Sequence, residues 1–148
     1  MAAILSLSLS YPAFACAVYI PLDGQAAKSV DVIALARVER FRLVRGEYSA
    51  RLDLKVERLM KGQVPEKLSV KWFPSLSGLP ARVPSGRYLI GLQRASTMPP
   101  PRRGPNGTVL LVLGVAYLNV LQHPCSNAFL FKEDSADFRY MWKLLGFK

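Results

Sequence analysis

Two thiols and one imidazole, Cys16, Cys125 and His123, are the Cys and His side chains that this chain offers to a zinc site or a histidine-based catalyst. A zinc site takes three or four nitrogen, sulfur or oxygen ligands, so a Cys/His site within one chain is excluded in practice. A Ser-His-Asp or Cys-His catalyst would have to use His123, which sits in His123-Pro124-Cys125. A lone histidine beside a proline reads more simply as a structural surface residue. Glu133, Asp134 and Asp137 could imitate a cation site, but helix capping accounts for them more cheaply. No phosphate-cradling glycine loop, GxGxxG turn, HExxH or CxxC occurs. No enzyme, resident metal or cofactor is expected.

Charge is the stronger signal. Twenty Lys plus Arg stand against ten Asp plus Glu, a net charge of +10 in 148 residues. Lys67 to Lys132 contains no carboxylate, while Lys71, Arg82, Arg87, Arg94, Arg102 and Arg103 fall inside it. Those six residues are the candidate anion-binding set, and acidic lipid, acidic polysaccharide or nucleic acid would answer it. The plainer reading is a solvated basic surface that aids solubility. Base stacking would need exposed aromatics. Strand parity turns Trp72 and Tyr88 inward and only Phe73 outward, so nucleic acid is not the expected partner.

Residues 1–15, MAAILSLSLSYPAFA, carry no charged side chain and offer Ala13 and Ala15 before Cys16. This is the pattern of a signal peptide cleaved after Ala15, although the basic n-region is missing. An uncleaved anchor, a buried first strand and a lipoprotein signal on Cys16 are the competing readings. Export predicts a secreted or periplasmic protein. In an oxidising compartment the two cysteines pair as Cys16–Cys125. In the chain-entropy model such a loop, about 110 residues long, is worth ~4–5 kcal/mol. In a reducing compartment the same residues would be two unrelated buried thiols.

The elements that must position these groups are mainly strands. Tyr48, Ala50, Leu52, Leu54 and Val56 alternate with polar residues, so Tyr48–Glu57 predicts a half-buried strand. Val30–Glu39 is more continuously apolar and predicts a more deeply buried one, with Arg42–Gly46 as the turn between them. Leu68–Trp72 and Arg87–Leu92 predict two more strands, separated by a Pro/Ser/Gly loop over 74–85. The run Thr97–Thr108, with its prolines and Arg102-Arg103, is an exposed basic loop. Val109–Leu121 predicts a long last strand with a bulge at Gly114. Ser135 or Asp134 caps a terminal helix whose Phe138, Met141, Trp142 and Leu145 share one face, and Gly146 ends it. Five strands and one helix predict a mainly β, OB-fold-like closed barrel, with a small β-sandwich as the alternative.

The order of these pieces resembles the netrin-like module. They run from Cys16 after the leader, through Val30–Val38 and Val56-Glu57-Arg58-Leu59-Met60-Lys61-Gly62, to Pro65 and Leu68-Ser69-Val70. Ser85-Gly86-Arg87-Tyr88-Leu89-Ile90 and Cys125 complete the series. That OB-fold class includes tissue inhibitors of metalloproteinases and bacterial exported relatives. The resemblance covers residues 16–131, with 132–148 as a helix packed on the barrel. It implies an exported, monomeric, non-catalytic domain binding a macromolecule, such as a protease or an anionic envelope component. For the inhibitors it implies zinc chelation by the mature amino-terminal cysteine, here Cys16. This chain departs from their Cys-x-Cys start, having Cys16-Ala17-Val18.

Overall fold

The computed structural model describes residues 21–73, 78–94, 118–123 and 126–147. Within them lie α1 (Gly24–Ser29), β1 (Val32–Leu43), β2 (Ala50–Lys61), β3 (Lys67–Trp72), β4 (Gly86–Arg94), β5 (Leu118–Val120), β6 (Leu130–Lys132) and α2 (Ala136–Leu144). Strands β1, β2, β3, β5 and β4 pair in that order, and β4 pairs back to β1. The sheet therefore closes into a five-stranded, OB-fold-like barrel. It is mixed, because β3 and β5 run parallel while the other pairs are antiparallel. Strand β6 is an extra strand beside β4.

Closure explains the burial pattern. Val32, Ala36, Val38, Leu52, Leu54, Val70, Trp72, Tyr88, Ile90 and Leu92 fill the barrel. The other faces of β1 and β4 are buried as well. Ile33 and Leu89 join Leu22, Ala27, Val30, Phe129, Phe131 and Met141 in a second cluster, against which Phe138 and Trp142 of α2 pack. Buried on both faces from Val32 to Ala36, β1 needs an apolar run there and not an alternation. Strand β2 faces water on one side, so it alternates.

Caps set both helices. The Asp23 carboxylate accepts from Ala26 N–H at 2.6 Å to start α1, a short helix that the sequence reading did not foresee. Ser135 Oγ accepts from Phe138 N–H at 3.1 Å to start α2. Gly146, with φ of 74°, ends α2.

Three expectations are corrected. Tyr48 is not core: it is 64% exposed, because the strand begins only at Ala50. The turn is not Arg42–Gly46: register shifts let β1 run on to Leu43, and Val44 N–H donates to Ser49 C=O at 3.0 Å beyond it. The strand expected to be the last is not the last: its described part, Leu118–Val120, stops within a residue of the expected end at Leu121, and an unforeseen strand, Leu130–Lys132, follows. The earlier stretch, 109–117, lies outside the described residues.

The join between the two halves of that broken strand rests on one glycine. Gly91 N–H donates to Phe129 C=O at 3.0 Å, and Leu121 N–H donates to Gly91 C=O at 3.0 Å. The Phe129 ring lies against the Gly91 Cα, in the space that a Cβ would occupy. Gly91→Ala is expected to lower unfolding free energy by about 1–3 kcal/mol through overpacking. Urea denaturation checks it, and a Gly91→Ala midpoint equal to wild type would refute the contact.

Candidate functional site

Cross-strand registers line cations up on the barrel exterior. Arg87, Arg37, Lys55 and Lys67 stand directly opposite one another across β4, β1, β2 and β3. Arg42, Arg51 and Lys71 form a second row across β1, β2 and β3. Like charges placed opposite on a sheet repel. Carboxylates answer each row. Glu57 pairs with Arg37 at 3.1 Å and with Arg87 at 2.6 Å, and Glu133 pairs with Arg87 at 2.9 Å. In the second row, Arg42 donates to Asp53 at 2.8 Å. Arg51 donates to Ser69 Oγ at 2.6 Å, and that hydroxyl donates to Asp53 at 2.6 Å. Lys71 lies 3.6 Å from Glu47 and 5.7 Å from the centre of the Phe73 ring.

The candidate anion-binding set is therefore divided. Arg87 and Arg94 stand at opposite ends of β4. Arg94 shares its end with Lys71, since Lys71 pairs with Asn119 and Asn119 pairs with Gln93. Arg82 is exposed in the loop before the other end. Arg87 is already held between two carboxylates. Arg102 and Arg103 lie outside the described residues, as do Cys16 and Cys125 and with them the expected disulfide and zinc-chelating amine. Among the described residues, no three of His, Cys, Asp and Glu converge as a metal site would need. His123 is exposed, and its carbonyl accepts from Ser126 N–H and Oγ. No helix among the described residues is long and apolar enough to cross a membrane.

A groove of about 540 Å³ opens where the last strand breaks. Trp72, Tyr88, Leu130 and Phe131 line it from the barrel, and Gly78, Leu79 and Pro80 form a facing wall. Gln122, Asn127, Lys132 and Asp137 bring polar groups to its margin. The buried aromatics are fixed by hydrogen bonds. Trp72 Nε1 donates to Gln122 Oε1 at 2.7 Å, and Gln122 Nε2 donates to Ser126 C=O at 3.0 Å. Tyr88 OH donates to Pro84 C=O at 2.8 Å, and burial raises its phenol pKa above the usual value. All three aromatics stand as strand parity predicts: Trp72 and Tyr88 are inside, and Phe73 is 37% exposed.

Sequence reading missed this groove because it missed β6, the strand that follows the break. A signal was present: His123-Pro124-Cys125-Ser126-Asn127 interrupts two apolar stretches, Val115–Leu121 and Ala128–Phe131. A proline between two strand-like runs is a reason to divide them.

Comparison with protein-family models, with curated proteins and with solved structures finds no match to this chain.

The Ser69 hydroxyl and then Arg42 hold the Asp53 carboxyl below its ordinary pKa of 3.8, against the opposing effect of burial. A carboxyl with a depressed folded-state pKa adds stability that is complete above its unfolded value. That contribution fades as pH falls through the folded value. Wild-type stability is therefore expected to drop as pH is lowered below about 4. Asp53→Asn should show a shallower drop over the same range. Parallel denaturation curves for the two proteins across that range would rule out the Asp53 contribution.

Proposed function

We propose that this chain is an exported, non-catalytic binding domain of the netrin-like class, holding a macromolecular partner in the groove at the break in its last strand. The groove carries the reading. It combines buried aromatic rings held by hydrogen bonds with a rim of amide and charged side chains. Recognition sites have this make-up: an apolar floor with a few fixed polar groups. The signal-like residues 1–15 support export, and the closed barrel is consistent with the OB-fold that the netrin-like class shares.

A photo-reactive amino acid at exposed Asn127, on the groove rim, tests the reading in the native host. The control position is Tyr140, which is 59% exposed on α2. A discrete adduct from position 127 and none from 140 is expected. Equal labelling from both positions, or none from either, overturns the reading. Intact mass tests the compartment separately. A mature chain beginning at Cys16, with thiols that alkylate only after reduction, is expected. A full-length mass with both thiols free would remove export.

One observation favours a second reading, an anionic surface as partner. The opposed row Arg42, Arg51 and Lys71 sits near Arg40, with Asp53 and Glu47 among the carboxylates that answer it. Binding to phosphatidylglycerol vesicles should then fall steeply with added salt and weaken in Arg51→Gln. Binding that does not change with salt would exclude it.

A further inference from the structure

Strands β1 and β3 finish, and β2 starts, at one end of the barrel. Leu43, Ala50 and Trp72 stand level there across the three strands. Five large apolar side chains are exposed among the described residues, and three of them gather at this end: Leu43, Tyr48 and Phe73. Leu43 is the last residue of β1 and is 54% exposed. Phe73 follows the last residue of β3, and Tyr48 stands in the turn before β2. The Tyr48 hydroxyl lies beside Gly78, which brings that turn up to the chain beyond β3.

Charge stands in a layer just behind. Arg42, Arg51 and Lys71 form their opposed row one residue back from Leu43, Ala50 and Trp72. A strand rises about 3.3 Å per residue, so the row lies about 3–7 Å behind Leu43 and Phe73. Arg45, exposed in the turn itself, adds a cation farther out. Residues 39–53 and 71–73 together hold five cations and three carboxylates. Asp53 answers Arg42. Glu47 lies 3.6 Å from Lys71 and accepts from Ser49 Oγ at 3.0 Å. The excess at this end is positive, as it is over the whole chain at +10. The turn also satisfies its own main chain, since Val44 N–H donates to Ser49 C=O at 3.0 Å and Glu47 N–H donates to Val44 C=O at 3.2 Å.

A partner for this end must offer an apolar phase and negative charge in matching layers, the apolar phase deeper. A soluble polyanion answers the cations and leaves Leu43, Tyr48 and Phe73 in water. A second copy docked end to end would set the same cations against each other. An anionic bilayer has the required order, with phosphates outside and acyl chains a few ångströms further in. Aromatic and aliphatic residues backed by Arg and Lys are the types that settle at that boundary. Resting on the second reading above, an anionic surface as partner, we infer that the surface is the lipid bilayer and that this end of the barrel enters it. Leu43, Tyr48 and Phe73 reach the boundary between head groups and acyl chains. Arg42, Arg51 and Lys71 stay among the phosphates, where each cation near an anionic leaflet adds to binding. Only side chains enter the apolar layer, and the hydrogen-bonded turn remains at head-group level.

The probe is a vesicle of phosphatidylglycerol and phosphatidylcholine, offered to the full chain over a range of salt concentrations. Leu43→Ser should weaken binding about tenfold throughout that range, with the salt slope of wild type, because it removes apolar contact and no charge. Arg51→Gln should weaken binding at low salt and have little effect at high salt. Depth is read separately. Tyr48→Trp should be quenched by lipid brominated along its acyl chains, above the level set by the native Trp72 and Trp142. Tyr140→Trp, on α2, should show no added quenching. Wild-type binding by Leu43→Ser, or no added quenching in Tyr48→Trp, overturns the inference. If vesicle binding still falls steeply with salt, the anionic-surface reading survives that result. No vesicle binding at any salt concentration overturns both. Dextran sulfate bound as tightly as the vesicles, without loss in Leu43→Ser, overturns the inference in favour of a soluble polyanion. A dimer in sedimentation that Leu43→Ser dissolves overturns it in favour of a second copy.

Discussion

The Phe129 ring resting on Gly91 is the contact on which the other parts depend. It stands at the point where β4 changes neighbours, from β5 to β6. Phe129 is wholly buried and packs with Phe131 at 5.5 Å between ring centres. It therefore ties the returning half of the broken strand to the outer face of the barrel and to α2. Any side chain at position 91 would lift the ring, open the second cluster and loosen the β6 edge. Among the described residues β6 pairs with β4 alone, and the groove lies where the chain passes from β5 to β6.

Electrostatics imposes the next constraint. A chain with net charge +10 has to place its cations on a small sheet without setting them against each other. The barrel aligns them in rows and threads a few carboxylates between. Glu57 serves two arginines from different strands, and Asp53 serves Arg42 directly and Arg51 through Ser69. Such exposed pairs add little stability singly. Their effect is to make the exterior a register: a strand slipped by one residue would turn these charges inward. The carboxylate-free stretch from Lys67 to Lys132 is consequently less positive in three dimensions than in one. Its Arg87 borrows Glu57 and Glu133, and its Lys71 borrows Glu47.

Much of the barrel was legible from periodicity. Strands β2 and β3 alternate because one face meets water, and the first part of β1, Val32–Ala36, does not because both its faces are covered. The α2 stripe and its Ser135 cap were equally readable. What escaped the sequence has physical causes. Tyr48 has the right parity for the core, but parity does not say where a ladder begins, and the turn held it outside. The α1 helix is too short for a period to show. The strand after the break was hidden because Leu130–Lys132 is too short for an alternation to show. The groove stayed hidden with it, since Trp72 and Gln122 meet but are distant in sequence.

The closure of β1 onto β4 also orders how the molecule can form. β1, β2 and β3 pair with their neighbours in sequence, so that meander closes only short loops. β4 returns to β1 from far along the chain, pairing Leu92 with Val32. Contacts between distant residues carry a larger entropic cost before they give any return, and topologies rich in them fold slowly. Until β4 arrives, β1 and β3 are bare edges of a three-stranded sheet. In that interval the rows Arg37–Lys55–Lys67 and Arg42–Arg51–Lys71 face any second nascent chain with like charge. Edge cations are a recognised guard against strand-to-strand association. The charge pattern that sets the register of the finished barrel thus also protects its unfinished half.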